Sequence, residues 1–195
     1  MEYDESELLE RAIQCKSFFK LVPPPPLAAT YTITEVCHSE DELPVADKMA
    51  IFDIFAANMR DHYVSSGWKW DEAEKHKELF HRLSRFLLIK DESNKIVAYS
   101  MLRFTWDDDD EPEYPVLYVY ELQVAKTHER KGLGKYLLSY MIALSRHLQM
   151  RKVLLTSLKR NTQAMQFYEH MGMKIDSYSP SKYGHNVEYE IMSIE

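Results

Sequence analysis

Apolar positions along the chain recur at two spacings, roughly every third or fourth residue and every second residue, and their succession lays out the elements in order. Leu9, Ile13, Cys15 and Phe19 stripe one face of a stretch that predicts an amphipathic helix over 4–20, stopped by Pro23-Pro-Pro-Pro26. Four consecutive prolines hold an extended strap, read here as a spacer that lets the helix pack back on the rest of the chain rather than as an SH3-type ligand. Residues 30–36 alternate as a first strand. Helical spacing follows over 45–59 and 71–84, with the aromatic loop Tyr63-Val-Ser-Ser-Gly-Trp68-Lys-Trp70 between them. Residues 86–90 and 96–104 predict a hairpin around Asp91-Glu-Ser-Asn94, and 116–124 a further strand after an acidic insertion. Leu133, Leu137, Met141, Leu144 and Leu148 mark a long helix. Strands follow at 153–157, 174–178 and 187–193, with a helix from about 161 to 171 between the first two. The order is β-α-α-β-β-β-α-β-α-β-β, without internal repeat. It divides into 1–26, helix and strap, and 27–195, a single α/β domain.

Composition narrows the class. A chain of 195 residues, 45% of them hydrophobic, can bury one core, and no apolar run approaches the ~20 residues of a membrane span. The first residues are acidic where a leader would be basic, and Cys15 and Cys37 show no metal or disulfide spacing, so a nuclear or cytoplasmic setting is expected. A formal net charge of −7 speaks against direct nucleic-acid binding and favours basic partners such as peptides or polyamines. The eight histidines are scattered without ligand spacing, and no metal is assigned.

Two of the chain's five glycines, Gly132 and Gly134, sit in Glu129-Arg-Lys-Gly-Leu-Gly-Lys135, between the 116–124 strand and the long helix. A strand, a short basic glycine loop and a helix N-terminus together form a phosphate cradle, because glycine lets the backbone come close and unpaired N–H groups face the anion. Neither the P-loop pattern nor the dinucleotide Gly-x-Gly-x-x-Gly is present. About thirty residues on stands Asn161-Thr-Gln-Ala164-Met-Gln-Phe167-Tyr168-Glu-His-Met-Gly172-Met173. In it Asn161 or Thr162 can cap a helix, Ala164, Phe167, Tyr168 and Met171 share a face, and Gly172 ends it.

The two motifs, in that order, resemble the signature of the GCN5-related N-acetyltransferase (GNAT) superfamily, with Glu129 where the family has Arg or Gln and Met173 for a final aromatic. The resemblance implies an α/β fold whose mixed sheet of about seven strands splays around acetyl-CoA, flanked by helices, here with an extra N-terminal one. It places the pyrophosphate on Arg130, Lys131, Gly132, Leu133, Gly134 and Lys135, and the pantetheine on the backbone of Leu122, Gln123 and Val124. Glu121 lies at the mouth of that gap. A glutamate in an apolar central strand is costly unless paired or useful, so it is the candidate general base, the alternative being a carboxylate salt-bridged at a strand end. Tyr168 is either the acid for the leaving thiolate or a packing aromatic.

A finer resemblance is to the N-terminal acetyltransferase D family, which acetylates the amino-terminal serine of histones two-A and four. It covers about 55–195 and is carried by Asn58-Met-Arg-x-x-Tyr63, Ser66-x-Trp68-x-Trp70, Leu117-Tyr-Val-Tyr-Glu121, Arg130-Lys-Gly-Leu-Gly-Lys135, Lys159-x-Asn161 and Tyr189-Glu-Ile191. It implies catalysis by Glu121 with Tyr120, contact of Asn161 with acetyl-CoA, and a peptide groove lined by Tyr63, Trp68, Tyr118, Tyr120, Thr156 and Tyr189. An aspartate meeting the substrate's basic segment would be Asp107, first of the acidic run 107–111, which reads equally as a solvated loop. The function expected is N-α-acetylation of histone tails in nucleus and cytoplasm, without an obligate auxiliary subunit. The alternatives are a lysine or polyamine acetyltransferase and a non-catalytic acyl-CoA-binding module.

Overall fold

The computed structural model describes residues 4–37, 43–108 and 113–195. Seven strands form one sheet: β1 Tyr31–Val36, β2 Arg85–Asp91, β3 Ile96–Trp106, β4 Pro115–Val124, β5 Val153–Leu158, β6 Lys174–Ile175 and β7 Tyr189–Ile194. Their spatial order is β1-β2-β3-β4-β5-β7-β6, and every pair is antiparallel except β4 with β5. That one parallel pair needs a crossover, which the 3-10 turn Lys126–His128 and helix α5, Leu133–His147, supply. The middle of the sheet, β2 to β5, is largely buried on both faces, while β1 and β6 at its edges are partly exposed. Leu87, Ala98, Leu102, Leu117 and Val119 pack with Leu137, Met141 and Leu144 of α5 on one side. On the other, Phe86, Leu88, Tyr99 and Met101 pack with Ile51 and Leu79 of α3, Val45–Ser65, and α4, Glu72–Leu79. Each such side chain contributes about 1.5–3 kcal/mol by leaving water.

The expected N-terminal helix is two helices, α1 Glu5–Ile13 and α2 Phe18–Leu21, and the cause lies elsewhere in the chain. The Glu35 carboxylate on β1 accepts from Ser17 Oγ at 2.5 Å and from the backbone N–H of Phe18 and Phe19 at 2.6 and 2.9 Å. An anion at that point caps a new helix start. Arg85 holds the end of α1 through the Ile13 carbonyl at 2.9 Å. The strap then crosses α5, where the Tyr140 hydroxyl donates to Val22 O at 2.8 Å and that of Tyr136 to Pro25 O at 2.6 Å.

Three other elements differ in length from their sequence patterns. Helix α3 continues to Ser65 because Tyr63 in its last turn packs edge-on against Phe55, centroids 5.7 Å apart, and Trp68 N–H returns to the Tyr63 carbonyl. Helix α4 ends at Leu79, where Arg103 and Ser84 take the Glu78 carbonyl. Strand β6 stops after two residues, as the Asp176 carboxylate draws the Tyr178 N–H into a turn at 3.0 Å.

Candidate active site

Strands β4 and β5 pair only from Leu117–Val119 to Val153–Leu155, although β4 runs to Val124 and β5 to Leu158. Past that point their facing backbone groups are released into a cavity of about 1100 Å³. A bulge sits at the same place. Leu102 pairs with Val119 and Met101 with Glu121, leaving Tyr120 as the extra residue on β4. One extra residue bends the strand and shifts its alternation by one, so side chains beyond it change faces. Val119 therefore packs in the α5-side core, whereas Tyr120 and Glu121 both turn toward α4. Without the bulge Glu121 would face the α5-side core.

Glu121 is 7% exposed. Its Oε1 lies 2.5 Å from Lys75 Nζ of α4, and its Oε2 accepts from Gln123 Nε2 at 2.7 Å. Asn58 of α3 fixes Gln123 in turn, donating to its Oε1 at 3.0 Å and to the Val124 carbonyl at 2.9 Å. Burial pushes the Glu121 carboxyl up from its ordinary value, and Lys75 and Gln123 pull against that rise. Lys75, also buried, bonds Glu78 and stands 4.5 Å over the Phe55 ring. Burial alone would lower its ammonium; Glu121, Tyr63 and Glu78 hold it well above its usual value. Sequence reading missed Lys75, because nothing local marks a lysine on a polar-patterned helix as buried.

The glycine loop leads into α5 through a left-handed turn. Gly132 caps α5 at φ +82°, a left-handed conformation, and Arg130 also has positive φ, 63°. No side chain caps that helix start, so its first N–H groups remain for a ligand. Arg130, Gly132, Leu133, Gly134 and Lys135 line the cavity, as do Leu122, Gln123 and Val124; Lys131 is exposed outside the lining. Asn161 lines it too, while its Oδ1 caps α6, Thr162–His170, through Ala164 N–H at 3.1 Å. Tyr168 of α6 lies against the same space, its hydroxyl pushed up by burial and by Glu121.

Aromatic rings wall another part of the same cavity. Tyr63 meets Trp68 at 5.3 Å, Trp68 meets Tyr189 at 5.8 Å, and Tyr118 meets Tyr120 at 4.8 Å, centroid to centroid. Tyr63, Trp68, Tyr118, Tyr120 and Thr156 line the cavity; Tyr189 backs Trp68 from outside the lining. Asp107 lies apart. Its Oδ1 accepts from the backbone N–H of Glu113 and Tyr114 at 3.0 and 3.1 Å, closing the β3–β4 connection, and its buried Oδ2 has no partner among the described residues. Asp109, Asp110 and Glu111 of the acidic run lie outside the described residues.

Residues 50–173 match the model of the Acetyltransferase (GNAT) family. The chain belongs to that family. Its structure is similar to an acetyltransferase from Streptococcus agalactiae, with a TM-score of 0.63 at 14% identity over 85% of this chain and 98% of that one. It is also similar to the ribosomal-protein-S18-alanine N-acetyltransferase of Escherichia coli, TM-score 0.55 at 18% identity, over 84% and 92%. The PaiA N-acetyltransferase of Thermoplasma acidophilum, solved in complex with coenzyme A, gives 0.58 at 13%, over 84% and 99%. At such identities the likeness is one of fold, and it is the GNAT α/β fold with its seven-stranded mixed sheet.

As a GNAT acetyltransferase the protein uses acetyl-CoA, and its own residues fit that molecule. The uncapped start of α5 with Gly132 in a left-handed conformation suits a pyrophosphate, and the released backbone of β4 past Val119 suits an amide-bearing pantetheine. Gly134 brings the first turn of α5 close to Phe167, where a Cβ would meet the ring at 3.6 Å. Among the described residues no group of three or more His, Cys, Asp or Glu could hold a metal ion, and no helix is long and apolar enough to cross a membrane.

Proposed function

We propose that this GNAT enzyme is an N-α-acetyltransferase for chains that begin Ser-Gly-Arg-Gly, as histones two-A and four do. The observation that carries this reading is the Glu121 carboxylate, turned by the bulge at Tyr120 to the meeting point of the acetyl-CoA cleft and the aromatic groove. Acetyl-CoA supplies the acetyl group as a thioester. Glu121 takes the proton of the substrate's α-ammonium, which frees the nitrogen lone pair to attack the carbonyl carbon. Released N–H groups of β4 meet the charge that grows on the carbonyl oxygen. As the C–N bond forms and the C–S bond breaks, Tyr168 hands its hydroxyl proton to the departing sulfur and takes up the second proton that the acylated nitrogen sheds.

The energetics favour an α-amine. Its pKa lies about 2.5 units below that of a lysine amine, so deprotonation is easier by roughly 3.4 kcal/mol, a burden one carboxylate can meet. Aromatic walls at Tyr63, Trp68, Tyr118 and Tyr120 suit the small first residues of such a tail. The net charge of −7 favours the cations that follow. In this proposal the enzyme acts on histone tails in nucleus and cytoplasm without an auxiliary subunit.

The test compares initial rates on a Ser-Gly-Arg-Gly-Lys peptide, its N-terminally blocked copy and a peptide beginning Met-Leu. Turnover of the first alone is expected. Turnover of the blocked copy would replace this reading with lysine or polyamine chemistry, and coenzyme A binding without any turnover would mark a non-catalytic module.

A further inference from the structure

We propose that Lys75 is the positioning residue that keeps Glu121 ionised and aimed, which makes α4 part of the acetyl-transfer machinery as well as a wall of the groove. The inference rests on Glu121 as the base, and it assigns a role to a residue that neither glycine loop nor aromatic groove requires.

The geometry is that of a clamp. Lys75 Nζ holds one carboxylate oxygen at 2.5 Å and Gln123 Nε2 holds the other at 2.7 Å, so the carboxylate plane is fixed from both sides. The ion pair is nearly dry, with side-chain exposures of 9% and 7%. Every element around Glu121 contributes a titratable group: Lys75 and Glu78 from α4, Tyr63 from α3, Tyr99 from β3 and Tyr168 from α6. Of these, Lys75 is the cation. Without it only Gln123 would oppose the burial and the Glu78 carboxylate that push the Glu121 carboxyl up, so Glu121 would hold its proton to a higher pH. A protonated Glu121 has no place for the proton of the substrate's ammonium.

A purely structural role explains the pair poorly. Buried ion pairs roughly break even against apolar residues of the same size, so a dry lysine beside a cavity adds little to stability that a leucine would not. The helix carrying Lys75 is itself fastened at both ends. Asp71 caps its start through Glu74 N–H at 3.1 Å, and Arg103, stacked 4.2 Å over the Tyr120 ring, takes the Glu78 carbonyl near its end. The same arginine thus ties the bulge that aims Glu121 to the helix that charges it.

The experiment is the pH dependence of kcat/KM on the Ser-Gly-Arg-Gly-Lys peptide for the wild type, Lys75→Met, Lys75→Arg and Glu121→Gln, with coenzyme A affinity and thermal melting measured on each. Lys75→Met should move the acidic limb up by about 1–3 units, the effect of removing an opposite charge from a carboxylate at contact distance, so that activity lost at neutral pH returns at higher pH. Lys75→Arg should restore the limb. If Lys75→Met does not melt cooperatively, Lys75→Gln carries the same expectation, since it keeps a donor without the charge. A uniform loss of rate at every pH with the limb unmoved, beside an inactive Glu121→Gln, overturns the role of Lys75 and spares Glu121. Wild-type turnover by Glu121→Gln instead overturns the assignment of the base itself.

Discussion

Tyr118 and Thr156 stand on the two strands that part, and their hydroxyls meet 2.5 Å apart at the rim of the cleft. The contact ties β4 to β5 next to their last paired rungs, Val119 with Leu155. Burial pushes the Tyr118 hydroxyl up to about 12, with the Thr156 bond opposing the rise, so it stays a neutral hydroxyl throughout the working range. Removing either partner should loosen the part of the cleft proposed for the peptide and leave the part proposed for the coenzyme alone. Tyr118→Phe and Thr156→Val are each expected to raise the peptide KM with coenzyme A affinity unchanged. A double-mutant cycle on kcat/KM should return a coupling of about 0.5–1.5 kcal/mol. Additive effects would mean that the two hydroxyls act separately.

Gly132 and Gly134 should respond differently to alanine. At Gly132 a Cβ meets nothing within 4 Å, but the backbone has φ +82°, where an L side chain costs about 1–2 kcal/mol. Gly134 carries no such strain, and its added methyl would touch Phe167 at an ordinary 3.6 Å. Titration calorimetry with coenzyme A should show Gly132→Ala weakened about tenfold and Gly134→Ala near the wild type. Equal losses would contradict the conformational argument.

Stability in acid should depend on Lys152 and Asp176, a buried pair 2.7 Å apart that ties the start of β5 to the turn after β6. Burial by itself would raise the Asp176 carboxyl; its bonds to Lys152, Ser193 and Tyr178 outweigh burial and hold it below the usual carboxylate range. A folded-state value below the unfolded one, about 3.9, means the contribution is complete above that value and is lost as pH falls through the folded one. Urea unfolding between pH 7 and pH 2 should therefore show Asp176→Asn less stable at neutral pH, with the gap to wild type closing in acid. Lys152→Met should cost about 3–5 kcal/mol at neutral pH, since it leaves a buried carboxylate unpaired. A gap that stays constant in acid would exclude the linkage.

Glu35 anchors the N-terminal segment at a distance from the site. Its carboxylate accepts three hydrogen bonds at the start of α2, and hydrogen bonds to charged groups contribute about 1.5–3 kcal/mol each after exchange with water. Glu35→Ala is expected to lower Tm and to raise amide exchange in α1 and α2, with kcat/KM within about twofold of wild type. A large fall in turnover at unchanged Tm would give the segment a direct part in catalysis.

What could be read from the sequence was what short-range chemistry encodes. A glycine loop opening a helix at Leu133, a cap at Asn161 or Thr162, which the structure gives to Asn161, and the seven strands all follow from neighbours in the chain. The bulge at Tyr120 went unread although it leaves a trace, since aliphatic residues stand at 117 and 119 and then at 122 and 124, a change of phase that the pairing with β3 turns into a bulge. Lys75 was invisible for a related reason: its charge is buried by a partner on another element. The break between α1 and α2 is set by Glu35, far along the chain. Asp107 read as part of an acidic rim, yet one of its oxygens is taken up by the backbone of its own hairpin.

The most direct test of α-amine acetylation is to give the enzyme one Ser-Gly-Arg-Gly-Lys peptide carrying both a free N-terminus and a free lysine, and to locate the acetyl group by fragment mass spectrometry at early turnover. The expected product carries it on the serine nitrogen, at a rate that Glu121→Gln lowers by about 10²–10⁴-fold while coenzyme A still binds. Acetyl on the lysine nitrogen would contradict the proposed substrate and the fit of the aromatic groove to an N-terminus.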